Sequence, residues 1–253
     1  MADTETGYAA VVADGHLNGE SGALDQFLAF IGHFSKTNIR ELYILGDLFT
    51  VWLGAPRLQL SHHHIVIDAL QTLTDQGVRV TYVEGNRDYF LFRYSARRPF
   101  VEVAPEFSET TIGGRRLYLA HGDLVNIHDR QYRQWRRFSR NRAIYSLFMG
   151  LPSFAAIRLA QYLEQRFRAT NQQHKTVFPT ATCQDFARTL FTHYDTVILG
   201  HFHCRYHNAV EGGGRLKSLY VLPAWKDEPA YLEISLQGQC ELKSFRPSTG
   251  ECL

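Results

Sequence analysis

Seven residues of this 253-residue chain carry oxygen or imidazole donors and stand where they could gather: Asp14, His16, Asp47, Asn86, His121, His201 and His203. Each belongs to a short polar cluster that closes an apolar run. Residues 8–13 lead into Asp14-Gly15-His16, 42–45 into Gly46-Asp47, and 78–83 towards Gly85-Asn86-Arg87-Asp88. Residues 117–120 lead into His121-Gly122-Asp123, and 196–199 into Gly200-His201-Phe202-His203. Singly these clusters are weak, because DxH arises by chance, GD after a strand is commonly a turn, and HxH is commonly ordinary histidine. Five in order are hard to obtain by accident. Asp, His and Asn without thiolate suit Mn²⁺, Fe or Zn²⁺ rather than a structural zinc knot. Seven donors are too many for one ion and about right for two ions sharing a carboxylate. Two ions about 3.5–4 Å apart clamp a phosphoryl group and acidify a bridging water. The implied chemistry is metal-assisted hydrolysis of a phosphate ester or anhydride.

Such donors need elements that aim them at one place. The apolar runs are short, rich in β-branched and aromatic residues and bounded by glycine, which predicts buried strands. Residues 23–33 and 65–74 place apolar side chains at i, i+3 and i+4 and predict helices. Alternating strand and helix implies an α/β core, whose ligands sit in a crevice at the carboxyl ends of the strands. Residues 129–173 lack a strand pattern. They read as a basic helix (132–142), an apolar piece (144–151), a start signal at Pro152 and a further helix (153–167). A helix over 183–193 and a meander over 216–245 complete the chain. The expectation is one domain over 1–253 with 129–175 inserted as a helical cap.

Composition narrows the classes. The chain is 45% hydrophobic and 21% charged, which excludes disordered and fibrous proteins. A net charge of +2 does not suit a globally basic nucleic-acid binder. The average hides an asymmetry, because ten basic residues against two acids between 129 and 175 give that stretch +8 and leave −6 elsewhere. An anionic ligand or membrane surface is therefore expected at that one region. The four cysteines form no CxxC, which fits free thiols in a reducing compartment. No secretory signal pattern opens the chain, and the longest apolar stretch, 143–160, is broken by Gly150, Pro152 and Arg158. A cytoplasmic location is expected, with peripheral contact at the inner face of a membrane. Residues His62-His63-His64 read as a surface loop or helix start, and Trp135 as a helix anchor.

The ordered set DxH, GD, GN, H and GHxH resembles the calcineurin-like metallophosphoesterase superfamily. That resemblance implies an α/β fold, two mixed sheets sandwiched between helices (αββα). It implies that Asp14, His16, Asp47 and His203 hold one ion, and Asp47, Asn86, His121 and His201 the other. Gly85-Asn86-Arg87-Asp88 departs from the commoner GNHD or GNHE. With LGDLFxxW (45–52), HGDxxxxxDxxY (121–132), the basic-apolar insertion and Ala224-Trp225, it is similar to the UDP-2,3-diacylglucosamine diphosphatase family of lipid A biosynthesis. The likeness runs over about 8–245.

This resemblance implies that hydroxide activated by two divalent ions, with Mn²⁺ expected, attacks the α-phosphorus of UDP-2,3-diacylglucosamine. UMP and 2,3-diacylglucosamine 1-phosphate leave. Asn86, Arg87, His121 and His201 are the implied catalytic residues. Asn86, Arg87, Asp129, Tyr132, Gln172, Lys175 and His201 are the implied substrate contacts. Arg87 offers a fork of donors to the pyrophosphate, Asp129 accepts from the sugar, and Tyr132 lies along it. Asp88 and Asp123 orient ligands. Leu147, Phe148, Leu151, Phe154 and Leu159 line an acyl chamber, enter the membrane interface or simply pack on the core.

Departures from the family pattern fall at Arg168 and Gln172, where serine and asparagine are usual, and at Thr50 and Cys204-Arg205. They touch substrate selectivity and none of the seven donors. Other readings remain: a metallophosphoesterase of other specificity, such as a phosphodiesterase, nucleotide pyrophosphatase or nuclease, or a scaffold that has lost catalysis. Arg87 and the apolar insertion argue against a nuclease, and a full donor set argues against a scaffold. Neither nucleic acid nor an obligate protein partner is expected.

Overall fold

The computed structural model describes residues 8–19, 22–93, 99–172 and 178–247, the side chains of 164–172 excepted. Its elements, in chain order, begin with β1 (Ala9–Ala13), α1 (Gly22–Phe34), β2 (Glu41–Leu45), β3 (Trp52–Leu53), α2 (Ser61–Asp75), β4 (Arg79–Val83) and β5 (Asp88–Tyr89). Strands β6 (Phe100–Ala104), β7 (Phe107–Ile112) and β8 (Arg115–Ala120) follow, then helices α3 (Arg130–Ser139), α4 (Arg142–Gly150), α5 (Ser153–Gln172) and α6 (Thr180–Leu190). The chain ends through β9 (Thr196–Leu199), β10 (Tyr206–Gly212), β11 (Arg215–Val221), β12 (Ala230–Ile234) and β13 (Cys240–Ser244).

Two sheets hold the site. One has the order β13-β12-β1-β2-β4-β6 and the other β10-β11-β9-β8-β7. β1, β2 and β4 run parallel in register, as do β8 and β9, so their carboxyl ends open the same way within each sheet. Alternate residues of each strand serve two different cores, as the two-residue repeat of a strand requires. Ala10, Val12, Leu42, Ile44, Val80 and Tyr82 face α1 and α2, meeting Phe27, Phe30, Val66 and Leu70. Ala9, Val11, Tyr43 and Leu45 face the other sheet, meeting Leu117, Leu119 and Ile198. That sheet's outer face, with Val197, Leu199 and Leu219, covers Cys183 and Ala187 of α6. The layers are helix, sheet, sheet, helix, which is the expected sandwich. Each fully buried Phe or Leu contributes about 1.5–3 kcal/mol, and these three cores rather than any disulfide support the crevice.

The structure corrects two expectations. The basic helix expected over 132–142 stops at Ser139, because Asn141 caps a new helix by accepting from the Ala143 N–H at 2.7 Å. The meander expected over 216–245 is two hairpins in different sheets: β11 pairs with β10, whereas β12 pairs with β13 and β1. The triple histidine opens α2, the helix start that was one of its two expected readings, and within it His63 is buried against Phe49, ring centroids 4.2 Å apart.

Helices α4 and α5 pack on the segment after β2. Ile144, Phe148, Leu151 and Ala156 meet Leu53, Leu58 and Phe90. Arg57 fastens the turn between the two helices, donating to Met149 O at 2.8 Å, Leu151 O at 2.9 Å and Ser153 Oγ at 3.0 Å. A cation at a helix C-terminus meets the unpaired carbonyls there. Phe148 and Leu151 are thus packing residues, whereas Leu147, Phe154 and Leu159 stay exposed.

Candidate metal centre

Each of the five polar clusters lies at a strand's carboxyl end, and the chain turns sharply there. Asp14, His16, Asp47, His201 and His203 all adopt positive φ, between 44° and 70°. For residues other than glycine this region costs about 1–2 kcal/mol each, and such strain persists where surrounding structure over-determines it. Here backbone bonds do so. Asp14 N–H donates to Gly46 O at 3.2 Å, His16 N–H to Asp47 O at 2.9 Å and Leu17 N–H to Leu48 O at 2.9 Å. The β2 and β4 ends approach so closely that a Cβ on Gly46 would lie 2.4 Å from Gly85 N. Glycine is required at both positions.

These turns bring all seven donors together as two linked groups. In the first, His16 Nε2 and His203 Nε2 are 3.1 Å apart and lie 3.6 and 3.3 Å from Asp14 Oδ1. In the second, Asn86 Oδ1 lies 3.0 Å from both His121 Nε2 and His201 Nδ1, and His121 Nε2 is 3.8 Å from Asp47 Oδ1. Ligand atoms of Asp14, His16 and His203 all fall within 4.8 Å of one another, and so do those of Asp14, Asp47 and His121. Asp14 therefore reaches both groups, a position the family pattern assigns to Asp47.

The chemistry of these donors fits divalent cations. Two buried carboxylates face imidazole nitrogens too close together for both to carry protons, and Asp14 Oδ1 is buried without an aligned hydrogen-bond donor. Burial opposes ionisation of Asp14, but His121, His203 and His16 hold its carboxyl far below the usual range. Burial likewise keeps the His16 imidazole neutral, despite Asp14. His121 Nδ1 donates to Leu45 O at 2.8 Å, which turns Nε2 towards Asn86 and Asp47. That pairing of ring nitrogens is the habit of a metal-ligating histidine.

A buried layer sets these donors. Asp88 Oδ2 accepts from Asp47 N–H at 3.0 Å, Gly85 N–H at 2.6 Å and Tyr82 Oη at 2.9 Å. Burial first, and Asp47 next, push its carboxyl up to about 6. Arg87 donates its backbone N–H to Asp47 Oδ1 at 2.8 Å and keeps Nε 3.4 Å from Asp47 Oδ2. Its side chain is half-buried beside the cluster and directed by Thr50 O at 3.5 Å.

The other predicted site residues stand apart. Asp129 caps α3, accepting from Tyr132 N–H at 2.9 Å. The Tyr132 phenol is bonded to Asp123, whose carboxyl burial would raise but Arg136 holds down to about 2. Asp123 therefore ties α3 to the loop that carries His121. Lys175 lies outside the described residues, as do the side chains of Gln172 and Arg168. Two residues escaped the sequence reading altogether, Arg136 and Arg140, which reach the backbone beside Asn86. Their signal was the i, i+4, i+8 stripe formed with Tyr132.

A helix–sheet–sheet–helix sandwich with Asp, His and Asn donors at five strand ends is the arrangement that the resemblance to calcineurin-like metallophosphoesterases implies. A UDP-2,3-diacylglucosamine hydrolase of Stenotrophomonas maltophilia (strain R551-3) is 33% identical over 239 residues, covering 90% of this chain and 94% of that protein. Another of that name, from Pectobacterium carotovorum subsp. carotovorum (strain PC1), is 31% identical over 240 residues, covering 92% and 97%. The chain belongs to the UDP-2,3-diacylglucosamine hydrolase family. No protein-family model matches it. Among solved structures, an archaeal phosphodiesterase superposes loosely, with TM-score 0.46 and 11% identity over 94% of this chain and 99% of its own.

Proposed function

We propose that this protein hydrolyses the pyrophosphate bond of UDP-2,3-diacylglucosamine to UMP and 2,3-diacylglucosamine 1-phosphate. One observation carries the reading: a full set of seven oxygen and nitrogen donors converges in a chain 33% identical to a hydrolase of that name. Asp14, His16, Asp47 and His203 would hold one divalent ion and Asp47, Asn86, His121 and His201 the other, with Mn²⁺ as the expected metal. Bound there, the ions supply positive charge for phosphoryl oxygens and acidify water.

The chain's own groups supply orientation. Arg87 projects its guanidinium from the rim of the cluster, where its planar fork suits pyrophosphate oxygens. Asp88 holds the Asp47 and Gly85 backbones so that Asp47 keeps its strained geometry. Tyr132 and Asp129 open α3 at the edge of the crevice, where the sugar is expected. In ¹⁸O-labelled water the label should enter UMP. Label in the sugar phosphate would place attack at the β-phosphorus and change the roles assigned to Arg87 and Tyr132.

A lipid substrate is met at a bilayer. No helix among the described residues is long and apolar enough to cross a membrane. Helices α3 to α5 nevertheless expose Phe138, Leu147, Phe154 and Tyr162, beside the exposed Arg133 and Arg137. Arginines near an anionic surface contribute about 1 kcal/mol each, and the apolar side chains add interfacial burial. The protein should sediment with phosphatidylglycerol vesicles at low salt and be released at high salt. Protein remaining in the supernatant at low salt would remove the membrane from this reading.

A further inference from the structure

Helix α3 is bolted to the metal centre's backbone by two arginines that composition alone assigns to a charged surface. Arg136 is only 5% exposed. Its Nη1 donates to Gly85 O at 3.2 Å and to Asp123 Oδ2 at 2.5 Å, and its Nη2 to Glu84 O at 3.1 Å and Pro105 O at 2.6 Å. Arg140 Nη2 donates to the same Gly85 O at 2.6 Å. The carbonyl of Gly85 belongs to the peptide whose nitrogen is that of Asn86, so these bonds set the plane from which Asn86 departs. Asn86 Oδ1 is the atom that meets both His121 Nε2 and His201 Nδ1.

Gly85 offers no other handle. A Cβ there would lie 2.2 Å from Asp47 Oδ1, so the residue has no side chain to anchor. Its N–H is held by Asp88 and its carbonyl by Arg136 and Arg140. Through Asp123, Arg136 also grips the loop two residues beyond His121. Arg136 thus bonds to the loops that carry Asn86 and His121. Among the described residues, its hydrogen bonds do not extend to the turns that carry His16 and His203.

A buried ion pair made only for stability is a poor bargain, since an apolar replacement is often as stable. What an arginine adds is a rigid fork that fixes several acceptors at once. We infer that Arg136 is a positioning residue for one half of the metal centre, the group formed by Asp47, Asn86, His121 and His201, and couples that half to helix α3. The inference rests on the two-ion reading above.

The test uses full-length protein stripped of metal and titrated calorimetrically with Mn²⁺, followed by electron paramagnetic resonance. The wild type should bind two ions and show the spectrum of a coupled Mn²⁺ pair. Arg136→Met, which keeps the stem and removes the donors, should retain one tight ion and weaken the second by about 10–100-fold, the range for lost outer-shell partners. Its spectrum should become that of an isolated Mn²⁺, and Arg136→Lys should restore part of the second affinity. Two ions bound by Arg136→Met with wild-type affinities, or equal weakening of both, would overturn the inference. If Arg136→Met does not fold, Arg140→Met carries the same expectation, and unchanged binding of both ions there overturns it. A wild type that binds fewer than two ions fails earlier, by removing the two-ion reading and this inference with it.

Discussion

Replacing Asp47 by alanine should cut UMP release from UDP-2,3-diacylglucosamine by about 10³-fold or more, since charge stabilisation at the phosphoryl group is worth several kcal/mol. Asp47 belongs to the donor group of His121, within reach of Asp14, which joins that group to the other. It also accepts the Arg87 N–H and lies beside the Arg87 guanidinium. The substitution thus removes the carboxylate proposed to serve both ions and frees the turn that presents Arg87. Metal content measured with the rate separates two causes. A lost rate with a lost ion places Asp47 among the ligands. A variant that keeps both ions and a rate near the wild type would remove Asp47 from the centre, and the dinuclear reading with it. Asp47→Asn, which keeps the volume, should lie between the two, because the amide retains one oxygen but not the charge.

The strand ends were legible because the carboxyl halves of the five strands are buried or half-buried on both faces. A strand pressed between another sheet and a helix layer has no polar side, so it reads as a continuous apolar run stopped by its first functional residue. Strands β7 and β10 lack that signature. Their residues alternate between exposed and covered, and in β10 the run Tyr206–Gly212 carries His207, Asn208 and Glu211, with no apolar stretch to mark it. Strand partnership was illegible for a different reason. β1 pairs with β12 across more than two hundred residues, and nothing local to either strand announces the other. The misread meander follows from this, since Leu222 to Pro229 carries the chain from one sheet to the other beneath the metal centre, where Trp225 N–H donates to Asp14 O at 3.1 Å.

The same limit applied to charge. Arginine on a helix is most often solvated, and the +8 segment read as a surface. Arg130, Arg133 and Arg137 are indeed exposed, but Arg136 and Arg140 point inward at Gly85. Apart from Asp123, the acceptors that draw them to the centre are backbone carbonyls, and a carbonyl leaves no trace in a sequence. The donors of the centre, by contrast, are side chains, so their types and order were visible before any fold was known. Asp129 shows the intermediate case: its residue type suited a sugar contact, and the fold adds a role that the residue type does not announce, since its carboxylate caps a helix.

Arg87→Ala should lower kcat for the lipid substrate by about 10²–10³-fold, the range for losing one oriented donor to a developing oxyanion, while leaving ion content unchanged. The guanidinium stands where histidine is usual in the family pattern, and its tethers here include Asp47 and Thr50 O. Only the backbone N–H of this residue supports Asp47 Oδ1 directly, and alanine keeps it. Metal binding and catalysis should therefore separate at this position, as they do not at Asp47. Arg87→Lys should recover little, since a point charge cannot reproduce a planar fork. Bis-p-nitrophenyl phosphate gives the control: its single phosphate needs less from that fork, so its slow rate should fall less than the rate for the pyrophosphate. Loss of ions in Arg87→Ala would mean that the side chain holds Asp47 in place, and the assignment of Arg87 to the substrate would then fail.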